Sequence, residues 1–167
     1  MIYPFLTAIL PELSPGTAPE LTPAQFDELA GEHVPPRQLA RIVSGALPLH
    51  ERMRRFDACL AYRVARIRAE RLNMDAKFDE PEELFAAVDW ALGAMTSAAP
   101  TERETLFDAA RWRELDDLET GHEMDLEHLA VYRMRLELLQ KYAGRDAETA
   151  RRNFEAAVDK LSAAYLT

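Results

Sequence analysis

The predicted fold is decided by residues 48–72, which read PLHERMRRFDACLAYRVARIRAERL. Pro48 suits the first turn of a helix, because its fixed φ is helical and its missing N–H would have no partner there anyway. Apolar side chains then recur, mostly at intervals of three or four residues, at Leu49, Met53, Phe56, Leu60, Val64, Ile67 and Leu72. This period is typical of one buried helix face. The stretch therefore predicts a helix of about seven turns.

Two short helices are predicted before this long one. Thr22, Pro23 and Gln25 form a capping box with proline at the first helical position, and Gly31 can end that helix. A second short helix is expected to begin at the proline pair 35–36 and to end near Ser44.

Further helices are predicted after residue 72. Their expected first residues are Asp79, Thr101, Asp125 and Asp146, each an N-cap type, and Gly121 and Gly144 are expected stops. No period-two alternation follows Leu13. The prediction is an all-α fold: a bundle of five medium-to-long helices plus two short N-terminal helices.

The first thirteen residues, MIYPFLTAILPEL, are almost wholly apolar. Pro4 and Pro11 are expected to interrupt a helix, so this stretch is predicted to be an extended segment packed on the core. An apolar anchor for a partner protein is the alternative. A secretory signal needs a positively charged start, and the first basic residue is Arg37. We therefore expect a cytoplasmic location.

Length and composition limit the possible functions. The 167 residues predict a single domain over 1–167, with a proline-rich subregion at 1–47 and a helix bundle at 48–167. A net charge of −9 disfavours nucleic acid as a partner. The single cysteine, Cys59, cannot form an internal disulfide or a four-cysteine zinc site, and it is predicted to fill the core.

The long helix is rich in arginine. Residues 49–72 contain seven arginines and three acidic residues. Guanidinium groups pair with carboxylates in a fixed planar geometry. One interpretation is internal ion pairing with acidic residues farther along the chain, at Glu114, Asp116, Asp117 and Glu119. The other is an arginine surface that binds an acidic partner protein.

A small group of acids and histidines raises the possibility of a metal site. The spacing of Glu119 and His122, and a similar acid–His spacing in residues 125–128, resemble halves of a di-iron carboxylate motif. A metal-dependent helical enzyme would use Glu119, His122, Glu127 and His128. The favoured interpretation is a polar interhelical loop, because Gly121 is a predicted helix end. For that reason no metal site is predicted. No cofactor or catalytic residue is predicted either, since phosphate-binding and nucleophile-elbow motifs are lacking.

Several stretches together resemble a bacterial family of unknown function that is encoded among V-type ATP synthase genes. They are residues 3–13 (YPFLTAILPEL), 19–26 (PELTPAQF), 64–72 (VARIRAERL), 101–118 with Arg111-Trp112, 121–127 and 130–136. The chain departs from the family pattern at Met124, where members usually have Phe.

The resemblance implies a non-enzymatic helical subunit or accessory protein of a V-type rotary ATPase, similar to the helical central-stalk component that seats the rotor shaft on the membrane ring. Its partners would be other ATPase subunits, and it would lie at the inner membrane only through that complex. Interfaces concentrate their energy in aromatic and arginine side chains. The candidate interface residues are therefore Tyr3, Phe5, Arg66, Arg68, Arg71 and Trp112. Trp90 and Trp112 are also predicted core residues, and a small regulatory homodimer remains an alternative function.

Overall fold

The computed structural model describes residues 1–75, 77, 79–98 and 100–143. Within these ranges the chain forms seven helices and no strand, which confirms the all-α prediction. The helices are α1 (Pro4–Ile9), α2 (Pro23–Gly31), α3 (Pro36–Val43), α4 (Pro48–Arg71), α5 (Ala86–Met95), α6 (Pro100–Glu119) and α7 (Leu126–Ala143). The helix predicted from Asp146 lies outside the described residues.

The helices enclose two main clusters of buried side chains. The first, here the N-terminal core, joins α1, α2 and α3 to α7 and includes Phe26, Ile42 and Leu136. The second, the central core, joins α4, α5 and α6 through residues such as Phe56 and Val88. The proline-rich first third of the chain therefore packs directly against α7, the last described helix.

The predicted apolar face of α4 is largely confirmed. Leu49, Phe56, Leu60 and Val64 are buried, and Met53 and Ile67 are half-buried. Leu72 is exposed, because the helix ends at Arg71 and the next backbone turn leaves the stripe. Cys59 is fully buried beside Phe56, as predicted for a core-filling residue, and burial raises the pKa of its thiol.

The predicted extended N-terminal segment is wrong for residues Pro4–Ile9, which form α1. Pro4 lies at the first helical position, where a missing N–H costs nothing, and Pro11 lies beyond the helix end. Tyr3 and Leu6 pack into the N-terminal core as expected. The opposite side of the segment is exposed, which fits the alternative of an apolar anchor.

The start of α5 also differs from the prediction. The helix begins at Ala86 rather than near Asp79, and Phe85 has extended backbone angles. Phe85 is buried with its ring edge-on to Phe56, at a centroid distance of 5.3 Å. Glu83 pairs with Arg55 of α4 at 3.5 Å. Tertiary contacts with α4 thus hold this segment in a non-helical path that its N-cap pattern did not predict.

Most other predicted helix ends are confirmed. Thr22 and Gln25 form both hydrogen bonds of the capping box, at 2.9 and 3.2 Å. Asp125 accepts a hydrogen bond from the backbone N–H of His128 at 2.9 Å and caps α7. Gly121 has a φ of +86°, in the left-handed region that favours glycine after a helix end. Helix α6 begins at Pro100, one residue before the predicted cap.

The two tryptophans occupy different environments. The core prediction is wrong for Trp90, which is 40% exposed and stacks under the Arg113 guanidinium at 4.5 Å. Trp112 is half-buried, and the Arg135 guanidinium lies 5.2 Å from its ring centre. Stacked arginines cover the indole faces and reduce the cost of their exposure.

In the described part of the chain, no helix is both long and apolar enough to cross a membrane.

His50 is a buried histidine that the sequence analysis did not single out. It lines a pocket of about 210 Å³ among α4, α6 and α7, and the charged groups around it are Arg54, Asp57, Arg111, Glu137 and Lys141. Burial, with a smaller contribution from the Arg54 charge, lowers the pKa of the imidazole below its usual 6.5. The folded state therefore holds His50 neutral at pH values where the unfolded chain protonates it.

This shift predicts a pH dependence of stability. The unfolded state binds more protons as the pH falls through 6.5, so the free energy of unfolding should decrease between pH 7 and pH 5. His50→Gln removes the titrating group, and we expect its stability to decline less over this interval. Urea denaturation of both proteins at several pH values measures the difference. Parallel pH profiles would contradict this role for His50.

Candidate functional site

The arginines of α4 divide into an internally paired group and an exposed group. Arg52 donates to Glu114 of α6 at 2.7 Å, and Arg63 pairs with Asp89 of α5 at 3.1 Å. The internal ion-pairing interpretation is therefore correct for part of the helix. Two of the other predicted acidic partners, Asp116 and Glu119, pair with Arg135 of α7 instead of α4.

The exposed group is at the end of α4 and lies on two sides of the helix. Arg66 is on one side and pairs with Glu70 at 3.1 Å. Hydrogen bonds to Tyr62 and Glu70 raise the pKa of Arg66. Arg68 and Arg71, three residues apart, share another side. Neither forms an ion pair with another described residue.

Arg68 and Arg71 border a small depression that we call the arginine pocket. Its volume is about 120 Å³, and it is lined by Val64, Ile67, Arg68, Arg71, Met95, Arg103, Glu104 and Phe107. The four apolar residues come from α4, α5 and α6 and form part of the central core or pack against it. The pocket thus combines an apolar floor with three arginines and one glutamate.

Arg103, in the first turn of α6, is the residue that distinguishes this pocket from an ordinary exposed surface. Its Nε atom is buried and has no hydrogen-bond partner among the described residues. A buried N–H of a charged group without an acceptor is energetically unfavourable. The sequence carries no signal for Arg103, because no local pattern places the start of α6 beside the end of α4.

The aromatic candidates for the interface are not equivalent. Tyr3 is only 6% exposed and donates a hydrogen bond to Gln38, so it is a core residue and its assignment to an exposed interface is wrong. Phe5 is 64% exposed, with only an edge contact to His33 at 5.2 Å between ring centres. Trp112 is half-buried under Arg135. Of the three, Phe5 presents the most accessible aromatic surface.

Phe5 belongs to an exposed apolar group, the N-terminal apolar surface, which consists of Met1, Ile2, Phe5 and Ile9. Two hydrogen bonds hold residues 1–13 against the α6–α7 connection and α7. The backbone N–H of Tyr3 donates to the Met124 carbonyl, and the Tyr132 hydroxyl donates to the Pro11 carbonyl at 2.8 Å. Burial raises the pKa of Tyr132 to about 12, so the phenol remains a donor at neutral pH.

The four residues of the predicted metal-dependent alternative do not form one cluster. His128 lies 2.9 Å from Glu119, whereas His122 lies 2.7 Å from Asp125. They lie near the α6–α7 connection, beside a groove of about 420 Å³, rather than at the middle of the helices as in di-iron bundles. The favoured interpretation of a polar interhelical connection describes their position better.

One compact group of possible metal ligands is present nearby. The ligand atoms of His122, Asp125 and Glu127 lie within 4.8 Å of one another. Asp125 already accepts hydrogen bonds at both oxygens, from His122 and from the His128 backbone. Burial opposes ionisation of Asp125, but these bonds prevail and lower its pKa. The contacts fully account for Asp125 as a helix cap.

Comparisons with known proteins add no relative: no protein-family model, curated protein or solved structure matches this chain. The resemblance to the V-type ATP synthase-associated family therefore stays a prediction that depends on the quoted sequence stretches. The arginine pocket and the N-terminal apolar surface are two features of the described structure that a partner could contact.

Proposed function

We propose that this protein is a non-enzymatic helical subunit or accessory protein of a V-type rotary ATPase or ATP synthase. The resemblance of residues 3–13, 64–72 and 101–118 suggests this assembly. The observation that carries the proposal is the exposed pair Arg68 and Arg71, which have no ion-pair partner among the described residues. In this proposal the protein is cytoplasmic and reaches the inner membrane through its complex.

The mechanism would be the transfer of position or torque through packed helices. Arg68 and Arg71 would pair with carboxylates of an acidic subunit, since complementary charge steers association and selects the partner. The internally paired Arg52 and Arg63 hold α4 to α6 and α5, so a force applied at the end of α4 would reach the whole central core. No bond-making chemistry is required of the chain.

Charge reversal at this surface tests the proposal. The double variant Arg68→Glu/Arg71→Glu should weaken co-purification with V-type ATPase subunits by about tenfold or more, because attraction becomes repulsion. Arg66→Glu is the matched control on the other side of the same helix and should retain association. Circular dichroism checks that both variants remain folded. If the wild-type protein does not associate with any ATPase subunit, the proposal is wrong.

Two other functions remain predictions, each supported by a different observation. The proximity of His122, Asp125 and Glu127 is the observation that bears on the metal-dependent alternative, and it is a ligand set other than the one predicted. The N-terminal apolar surface favours a regulatory homodimer, because exposed apolar groups often mark contacts between subunits.

A further inference from the structure

We propose that the arginine pocket binds a carboxylate side chain from an acidic segment of the partner protein, with the methylene stem of that side chain against the apolar pocket floor. This inference rests on the proposed function, since it names the chemistry by which the partner is recognised. It extends the predicted arginine surface to α6 and places Arg66 outside it.

The charges of the pocket favour an anion. Arg68, Arg71 and Arg103 supply three positive charges against the single carboxylate of Glu104. Arg103 is also in the first turn of α6, where the helix dipole adds positive potential and where a cation is otherwise disfavoured. The end of α4 contributes a partial negative charge that offsets only part of this excess. A carboxylate placed among the three guanidinium groups would relieve their mutual repulsion.

The orphan Nε of Arg103 supplies the specific donor. It is buried without an acceptor among the described residues, and a shift of the Arg103 side chain toward the pocket would bring it to a carboxylate oxygen there. Charge-assisted bonds between guanidinium and carboxylate are about twice as strong as neutral hydrogen bonds. The free protein therefore has an unfavourable contact that the proposed ligand would satisfy.

Pocket size and lining favour a protein segment over other anions. The volume of about 120 Å³ is well below the roughly 300 Å³ at which pockets for cofactors and similar small molecules begin. It suits one side chain. Val64, Ile67, Met95 and Phe107 offer apolar contact that a phosphate group cannot use.

Fluorescence anisotropy with defined probes tests this assignment. The main probe is a short labelled peptide in which Glu and Leu alternate, and its match has Gln in place of every Glu. We expect the Glu peptide to bind at least about tenfold more tightly than the Gln peptide, with affinity that falls as salt rises. A single-stranded oligonucleotide and vesicles of phosphatidylcholine with phosphatidylserine are the competing probes.

Variants locate the binding to the pocket. Arg103→Met keeps the apolar stem and removes the orphan donor, and Arg68→Met removes a charge from an exposed position where folding is not at risk. Each variant should bind the Glu peptide with roughly tenfold lower affinity than the wild type. Arg66→Met, the control outside the pocket, should bind like the wild type.

Three results would overturn the inference: equal affinity for the Glu and Gln peptides, wild-type binding by both pocket variants, or tighter binding of the oligonucleotide or vesicles. These results are distinct from a failure of the proposed function. If the pocket binds the Glu peptide but no ATPase subunit co-purifies, the proposed assembly is wrong and the proposed role of the pocket stands. Association with ATPase subunits that survives Arg103→Met and Arg68→Met would reject the pocket alone.

Discussion

Replacing Arg52 with Met should lower the free energy of unfolding by about 3 kcal/mol, because it leaves a buried carboxylate without its counterion. The Glu114 side chain is 3% exposed and accepts the Nε–H of Arg52 at 2.7 Å. This hydrogen bond to Glu114 is the main cause of the raised pKa of Arg52. Because Glu114 is on α6 and Arg52 on α4, the loss would also loosen the contact between these two helices.

The two side chains of this ion pair differ in burial, so the two single variants should differ in stability. Glu114→Met should cost only about 1 kcal/mol, since the Arg52 side chain is 43% exposed and water can solvate the guanidinium left behind. The double variant Arg52→Met/Glu114→Met should recover much of the stability lost in Arg52→Met, because no unpaired buried charge remains.

Urea denaturation of the single and double variants measures these differences. Arg54→Met is the matched control: Arg54 and its partner Glu51 are both more than half exposed, so the change should cost less than about 1 kcal/mol. Equal losses for Arg52→Met and Arg54→Met would contradict the role assigned to burial of Glu114.

Phe26→Ala should lower the free energy of unfolding by about 3 to 5 kcal/mol, because it creates a cavity in the N-terminal core. The Phe26 side chain is fully buried and its ring stacks on Tyr132 of α7 at a centroid distance of 5.5 Å. Helix α2 is also tied to α7 by the ion pair of Asp27 with Arg133 at 2.7 Å. Loss of the phenylalanine ring removes its apolar contact with Tyr132 at the α2–α7 junction.

The control is the same substitution at Phe5, which is 64% exposed. Phe5→Ala should change stability by less than about 0.5 kcal/mol, since little apolar area returns to water. Thermal and urea unfolding followed by circular dichroism compare the two variants. A Phe26→Ala protein as stable as Phe5→Ala would show that α1–α3 do not pack on α7 in the way described.

Local sequence signals predicted the helices well where a single element supplies all the information. The capping box at Thr22 and Gln25, the Asp125 cap and the Gly121 stop each depend on residues close together in the chain. The same reasoning misplaced the start of α5, because Phe85 enters the central core from an extended backbone. The expectation that Pro4 interrupts a helix is wrong, because at a first helical position proline is compatible with α1.

The sequence predicted less of the candidate site than of the fold. It singled out Arg66, Arg68 and Arg71 from their density in α4, and their exposure agrees with that emphasis. It did not separate Arg66, which pairs with Glu70, from the two arginines of the pocket. It also gave Tyr3 an interface role, whereas packing buries that ring in the N-terminal core.

Local sequence patterns specify the helical class, the long amphipathic α4, most helix ends and the surplus of arginine along α4. These properties follow from residues within a few turns of one another, where backbone hydrogen bonding and apolar periodicity act. Three features emerge only when the helices pack together: which arginines form ion pairs, the burial of Glu114 against Arg52, and the position of Arg103 in one pocket with Arg68 and Arg71. The reason is that ion pairing and burial depend on how helices distant in the chain pack together, which no local pattern encodes.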